Sequence, residues 1–129
     1  MAIAGMNHFT VLSHDLERTK AFYMGLLGLT EGFRPNFKFP GAWLYCGNQA
    51  VLHVIAGRQL PEDPKGVLDH MAFSAKDLPG TARRLQEAGI DYELRKIDQP
   101  GQINVWQLFC FDPSGAKVEL DFDGNEPAP

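Results

Sequence analysis

His8-Phe9-Thr10-Val11-Leu12, followed by Asp15-Leu16 and Gly28, returns later in the chain as His70-Met71-Ala72-Phe73-Ser74, Asp77-Leu78 and Gly89. The offset is 62 residues at the histidine and at the Asp-Leu pair, and 61 at the glycine. Recurrence at a fixed period of this size signals two copies of one supersecondary unit. Each copy reads as a strand, a helix and three further strands.

In the first copy residues 6–12 alternate, with His8, Thr10 and Leu12 on one face and Phe9 and Val11 on the other. Ser13 or Asp15 is placed to cap a helix that ends at Gly28, although Leu16, Phe22, Met24 and Leu27 fit a 3.6-residue period only loosely. Strands are expected near 30–34, 42–46 and 50–55, the last two joined by the hairpin signal Gly47-Asn48. In the second copy the first strand is expected over 68–74, and Asp77 caps a helix with Pro79 in its first turn and Gly89 at its end. Strands near 91–97, 103–111 and 116–122 follow, the last entered through the turn Asp112-Pro113-Ser114-Gly115.

The expected fold is therefore α+β: a single domain over 1–129 built from two βαβββ modules, about 5–56 and 67–123. The polar segment 57–66, with Pro61 and Pro64, links them, and residues 124–129 read as a frayed tail.

Composition narrows the function. The 129 residues carry 12 Lys+Arg against 16 Asp+Glu, a net charge of −4 with no basic block, which argues against nucleic acid. No apolar run approaches the ~20 residues of a membrane span, and the first residues lack the pattern of a secretory signal. A cytoplasmic, soluble domain is the expectation. Cys46 and Cys110 form no CxxC pair and read as small buried apolar residues rather than a zinc site or a disulfide framework. Phosphate loops, dinucleotide fingerprints and nucleophile elbows are missing from the sequence.

The repeat also aligns polar residues that could carry chemistry. His8 and His70 open equivalent strands. In the last strand of each module, His53 shares a face with Val51 and Ile55, and Glu119 shares a face with Lys117 and Asp121. His8 to His53 is 45 residues and His70 to Glu119 is 49, so a four-residue loop difference makes His53 and Glu119 equivalent too. Three imidazoles and a carboxylate suit one divalent first-row metal (Zn, Ni, Co, Mn or Fe) rather than Ca or Mg. With three ligands only, His8, His70 and Glu119 make the two-histidine, one-carboxylate set of open Fe(II) sites. The blander alternatives are packed or surface histidines and a solvent-facing glutamate; His14, beside a helix start, reads as such. The aromatic cluster Phe33, Phe37, Phe39, Trp43 and Tyr45 suits a substrate pocket or, equally, core packing. Arg34 beside it either meets an anionic group or is simply solvated.

Asn7-His8, Asp15-Leu16 with Ala21-Phe22-Tyr23 and Leu27-Gly28, Asp69-His70-Met71-Ala72-Phe73, and Phe111-Asp112-Pro113-x-Gly115-x-x-Val118-Glu119-Leu120 together resemble the vicinal oxygen chelate superfamily, the glyoxalase, bleomycin-resistance and extradiol-dioxygenase group. The resemblance spans residues 6–122 and implies paired βαβββ modules forming a curved mixed sheet around a metal cup, often built across a homodimer. It carries the metal ligands over to His8, His70 and Glu119, with a fourth at His53. It also implies that two neighbouring oxygens of a small-molecule substrate chelate the metal.

Departures from named members are specific. The arginine and asparagine that help hold glutathione in bacterial glyoxalase I fall here at Leu12 and Gly57. The acid/base histidine and tyrosine of the extradiol enzymes fall at Gln102 and Phe109, both assigned here to the substrate pocket. The fosfomycin-resistance signature ahead of the Asp-Pro turn falls at Gln99, Ile103 and Phe109, the poorest fit of the three. The run from Arg34 to Leu44 resembles uncharacterised glyoxalase-like proteins.

The expected function is a metal-dependent lyase or isomerase acting on a small carbonyl or hydroxy-carbonyl compound, with Glu119 as base and acid and His53 contributing to catalysis. An Fe(II) ring-cleaving dioxygenase and a metal-free, ligand-sequestering protein are the alternatives.

Overall fold

The computed structural model describes residues 2–129. The chain divides into two compact units, one through Pro64 and one from Lys65 onward.

In the first unit β1 (Phe9–Ser13) leads into α1 (Leu16–Lys20), a wider helical turn over Ala21–Leu26, and strands β2 (Thr30–Glu31), β3 (Gly41–Cys46) and β4 (Gln49–Ala56). The sheet order is β1-β4-β3-β2, with β1 parallel to β4 and the other pairs antiparallel. Asp15 is the N-cap of α1, its side chain accepting from the Arg18 amide.

The loose periodicity of this helix has a physical cause. After Lys20 the winding opens to an i→i+5 pattern, with the Leu27 amide donating to the Phe22 carbonyl at 3.2 Å. The buried face is accordingly Thr19, Phe22 and Tyr23; of the Leu16, Phe22, Met24 and Leu27 set expected from a 3.6-residue period, Phe22 alone is buried. Val11, Leu44, Leu52 and Val54, the inward alternates of the strands, are buried in the same unit.

The second unit repeats the plan: β5 (Met71–Ser74), α2 (Leu78–Glu87), β6 (Glu93–Gln99), β7 (Ile103–Phe111) and β8 (Lys117–Asp123), in the order β5-β8-β7-β6 with β5 parallel to β8. Its core is Leu78, Leu85, Leu108, Val118, Leu120 and Phe122, each burial contributing about 1.5–3 kcal/mol. The turn into β8 is built by Asp112, whose Oδ1 accepts from the Ser114 and Ala116 amides, both at 2.9 Å.

Three expectations need correction. The first strand of each module starts one residue after its histidine, at Phe9 and Met71, so His8 and His70 are the last residues before the ladder. Leu68, expected in that strand, is exposed. Residues 124–126 are bonded rather than frayed: Glu126 Oε1 accepts the Leu78 amide at 2.7 Å, and the Trp106 indole donates to the Glu126 carbonyl at 3.0 Å. The open N-terminus of α2 attracts that carboxylate, which holds the segment down.

Candidate metal and substrate site

Strand register decides which residues correspond. His53 lies opposite Thr10 on one side and Trp43 on the other; Glu119 lies opposite Ala72 and Phe109. Thr10 and Ala72 each stand two residues beyond a first-strand histidine. His53 and Glu119 are therefore equivalent in the two sheets, and so are Trp43 and Phe109.

In the first unit the His8 and His53 rings stack at 3.6 Å between centroids and 12° between planes, and Trp43 stacks on the other side of His53 at 4.0 Å. His53 is held below the ordinary imidazole range, first by burial and then by the nearby positive character of His8 and Arg34, against an opposing bond to the Ala50 backbone. The neutral ring is the form that ligates a metal. His8 and His53 would each offer an imidazole nitrogen to a metal from the same strand pair.

In the second unit His70 Nε2 faces Glu119 Oε1 at 3.1 Å, and Phe109 meets the ring edge-on at 5.9 Å. Glu119 is buried, and its Oε2 accepts a long bond of 3.5 Å from Gln107. Asp121, next along the same face, has its carboxyl pushed up to about 6, first by burial and then by Glu119, with His70 pulling the other way. Its Oδ1 is buried without a hydrogen-bond partner.

Both first-strand histidines have the same support. His8 Nδ1 lies 2.6 Å from Asn7 Oδ1, and His70 Nδ1 lies 2.8 Å from Asp69 Oδ2. Asp69 is itself held low by His70 and then by Lys117, whose ammonium is 3.7 Å away. An oxygen acceptor on Nδ1 fixes the ring and leaves Nε2 as the lone-pair nitrogen, the arrangement of a metal-ligating histidine.

The donor set fits a cation. Both nitrogens of His70 face carboxylate oxygens, and a neutral ring has one N–H with which to satisfy them, so a proton or metal ion is called for on the Glu119 side. The orphaned Asp121 oxygen adds to that demand. Among the described residues no group of three or more His, Cys, Asp or Glu is arranged to hold a metal ion; each unit presents a pair.

The expected pocket residues separate. Arg34, Phe37, Phe39, Trp43 and His53 line one cavity of about 180 Å³ in the first unit. Phe109 is buried beside Glu119, with the Arg95 and Lys117 side chains over its ring at 5.0 and 5.1 Å. Gln102 does not join it. Its amide closes the β6–β7 turn onto the Gln99 carbonyl, and it is exposed seven residues up the strand from Phe109. The residue that does approach Glu119 is Gln107, legible in the sequence only as the outward alternate two before Phe109. Asn7 and Asp69 were readable as neighbours of the histidines, but adjacency alone does not say which side chain turns back onto the ring.

The sequence profile of the Glyoxalase/Bleomycin resistance protein/Dioxygenase superfamily matches residues 5–120. The chain belongs to that superfamily. Within it, the chain is 31% identical over 124 residues to "Glyoxylase I 4" of Arabidopsis thaliana, covering 92% of this chain and 70% of that protein. It is also 31% identical over 121 residues to "Glutathione transferase FosA" of Serratia marcescens, covering 92% and 80%. A glyoxalase family protein from Bacillus anthracis superposes with a TM-score of 0.72 at 25% identity, covering 95% of this chain and 98% of that one. The likeness to FosA extends over the chain although Gln99, Ile103 and Phe109 depart from the fosfomycin-resistance signature, so overall identity and site identity are separate matters here. Superfamily members include glyoxalases, fosfomycin-resistance enzymes and dioxygenases. No helix among the described residues is long and apolar enough to cross a membrane.

Proposed function

We propose that the protein is a metal-dependent, glyoxalase-like lyase or isomerase acting on a small carbonyl or hydroxy-carbonyl compound. The ligands proposed for one divalent first-row ion are His8, His53, His70 and Glu119. The observation that carries the reading is the paired support of the first-strand histidines, Asn7 on His8 and Asp69 on His70, which leaves each Nε2 free to ligate. When bound, the metal would polarise two substrate oxygens and acidify the carbon-bound proton between them.

The chain's own residues supply the rest. Glu119, displaced from the metal, would hold and move the proton: its Oε1 lies 3.1 Å from His70 Nε2, and Gln107 steadies Oε2. Trp43 and Phe109 cover the ligand pairs with apolar surface, which keeps water from that proton. Cytoplasmic residence, expected from composition, and the homodimer that the family resemblance implies belong to this reading.

Glu119→Gln keeps shape and removes the base, so it should retain the fold by circular dichroism and lose at least about 10²-fold in turnover. Turnover within a few-fold of the parent would exclude the role. Elemental mass spectrometry on protein purified without added metal should find near-stoichiometric Zn, Ni, Co or Mn that falls sharply in His53→Ala.

One observation favours a second reading. His53 is stacked between Trp43 and His8 rather than turned outward, as an acid/base group beside a three-ligand Fe(II) centre of His8, His70 and Glu119 would be. Iron retained by His53→Ala, with oxygen consumed on catechols, would select that dioxygenase. Absence of any metal, even after reconstitution, would leave a ligand-sequestering protein.

A further inference from the structure

The cavity in the first unit holds a cation that no carboxylate among the described residues neutralises. Arg34 lies with its guanidinium carbon 5.0 Å from the centroids of both Phe37 and Phe39, and Nη2 donates to the Phe39 carbonyl at 2.9 Å. Gly41 forms the floor beneath it: a Cβ there would stand 3.0 Å from Nη2. Two rings, a carbonyl and the glycine floor thus fix the head of a side chain that is ordinarily mobile, and no carboxylate lines the cavity. Arg34 makes no ion pair among the described residues. Arg58 adds positive charge at the rim, 5.9 Å over the outer ring, that of Phe39.

Around this cation the walls are flat and apolar. Phe37 and Phe39 stack at 5.3 Å, and Phe37 tilts against Trp43 at 6.3 Å. The volume, about 180 Å³, is below the ~300–1,000 Å³ of sites for drug-sized ligands. A guanidinium with spare N–H donors recognises a carboxylate through two parallel hydrogen bonds. Rings on either side favour an unsaturated body that can lie against them.

We propose that this cavity selects a small aromatic or planar unsaturated carboxylate, Arg34 gripping the carboxylate while Phe37 and Trp43 hold the flat body. The inference rests on the enzymatic reading above only in taking this cavity as the substrate's; recognition itself needs no metal. It narrows the substrate to a compound bearing a carboxylate beside its reacting oxygens.

The test uses full-length protein kept metal-free with chelator, titrated with benzoate, benzamide and acetate and followed by amide NMR shifts. Benzoate should bind at least tenfold more tightly than either of the others, with shifts centred on Arg34, Phe37 and Trp43. Arg34→Gln should abolish the preference for benzoate over benzamide. Phe37→Leu, which keeps the charge, should weaken both and keep their ratio. Equal binding of benzoate and benzamide, an unchanged ratio in Arg34→Gln, or shifts centred on Lys117 and Phe111 instead would overturn the proposal. Because metal content is measured separately, none of these outcomes bears on the ligand set, and loss of the metal reading would leave the carboxylate result standing.

Discussion

Two side chains that ligate nothing themselves decide how the histidines behave. Asn7 and Asp69 each stand one residue before a histidine and each place an oxygen on its Nδ1. The charged member of the pair should matter more, because a carboxylate raises the basicity of the ring it supports. Asp69→Ala should weaken metal affinity by roughly 10–100-fold while leaving the melting temperature of the metal-free protein nearly unchanged. Competition against a chromogenic chelator reads this directly, and unaltered affinity would place Asp69 outside the site. The four proposed ligands were legible because the repeat put like beside like. Gln107 and Asp121 were not singled out, since an outward polar residue on an alternating strand is ordinarily a solvent-facing one. What distinguishes them is their place beside the buried Glu119, a product of tertiary packing that no local pattern announces.

At the scale of elements, the hairpin of β3 and β4 carries both the fold and the cavity. Gly41 begins it, and a Cβ there would come within 2.2 Å of the Val54 carbonyl as well as against the Arg34 head. Gly41→Ala should therefore destabilise the protein by about 1–3 kcal/mol, the range for overpacking, and loosen Arg34 with it. Urea denaturation gives the first quantity; an unchanged midpoint would mean that the strand shifts without cost. The run from Arg34 to Trp43 illustrates how much a sequence can hold in plain sight. Its arginine, its two phenylalanines, its glycine and its tryptophan all serve one cradle, yet their spacing follows no helical or strand period because residues 32–40 are loop. The helix of the first module is the converse case. Its start was readable from Asp15, but its buried face depended on a change of winding after Lys20 that propensity does not encode.

For the molecule as a whole, duplication made the fold legible while leaving function open. Two matching strand orders follow from two matching hydrophobic patterns, and the match is visible without any structure. The copies differ at equivalent positions: His53 stacks on His8 in one, where Glu119 faces His70 in the other, with Asp69, Asp121 and Lys117 nearby. That asymmetry gives the metal-free protein a pH signature. Asp121 keeps its proton up to about 6, whereas its ordinary value is 3.8. Over that window the native state holds a proton the unfolded chain has released, so stability falls as pH rises and levels off above it. Asp69, held low, loses its contribution only below the window. Melts in the presence of chelator should show Tm declining from about pH 4 to about pH 6, and Asp121→Asn should flatten the decline; a slope that survives the substitution would assign it elsewhere. The Trp43–His53 stack has one more consequence, an optical one. An indole in face contact with an imidazole has its emission governed by that ring's charge and distance, so any event that turns or protonates His53 alters the brightness and lifetime of Trp43. Set against Trp106, whose indole is committed to the Glu126 carbonyl in the other unit, Trp43 gives the protein an intrinsic fluorophore in the wall of the first-unit cavity.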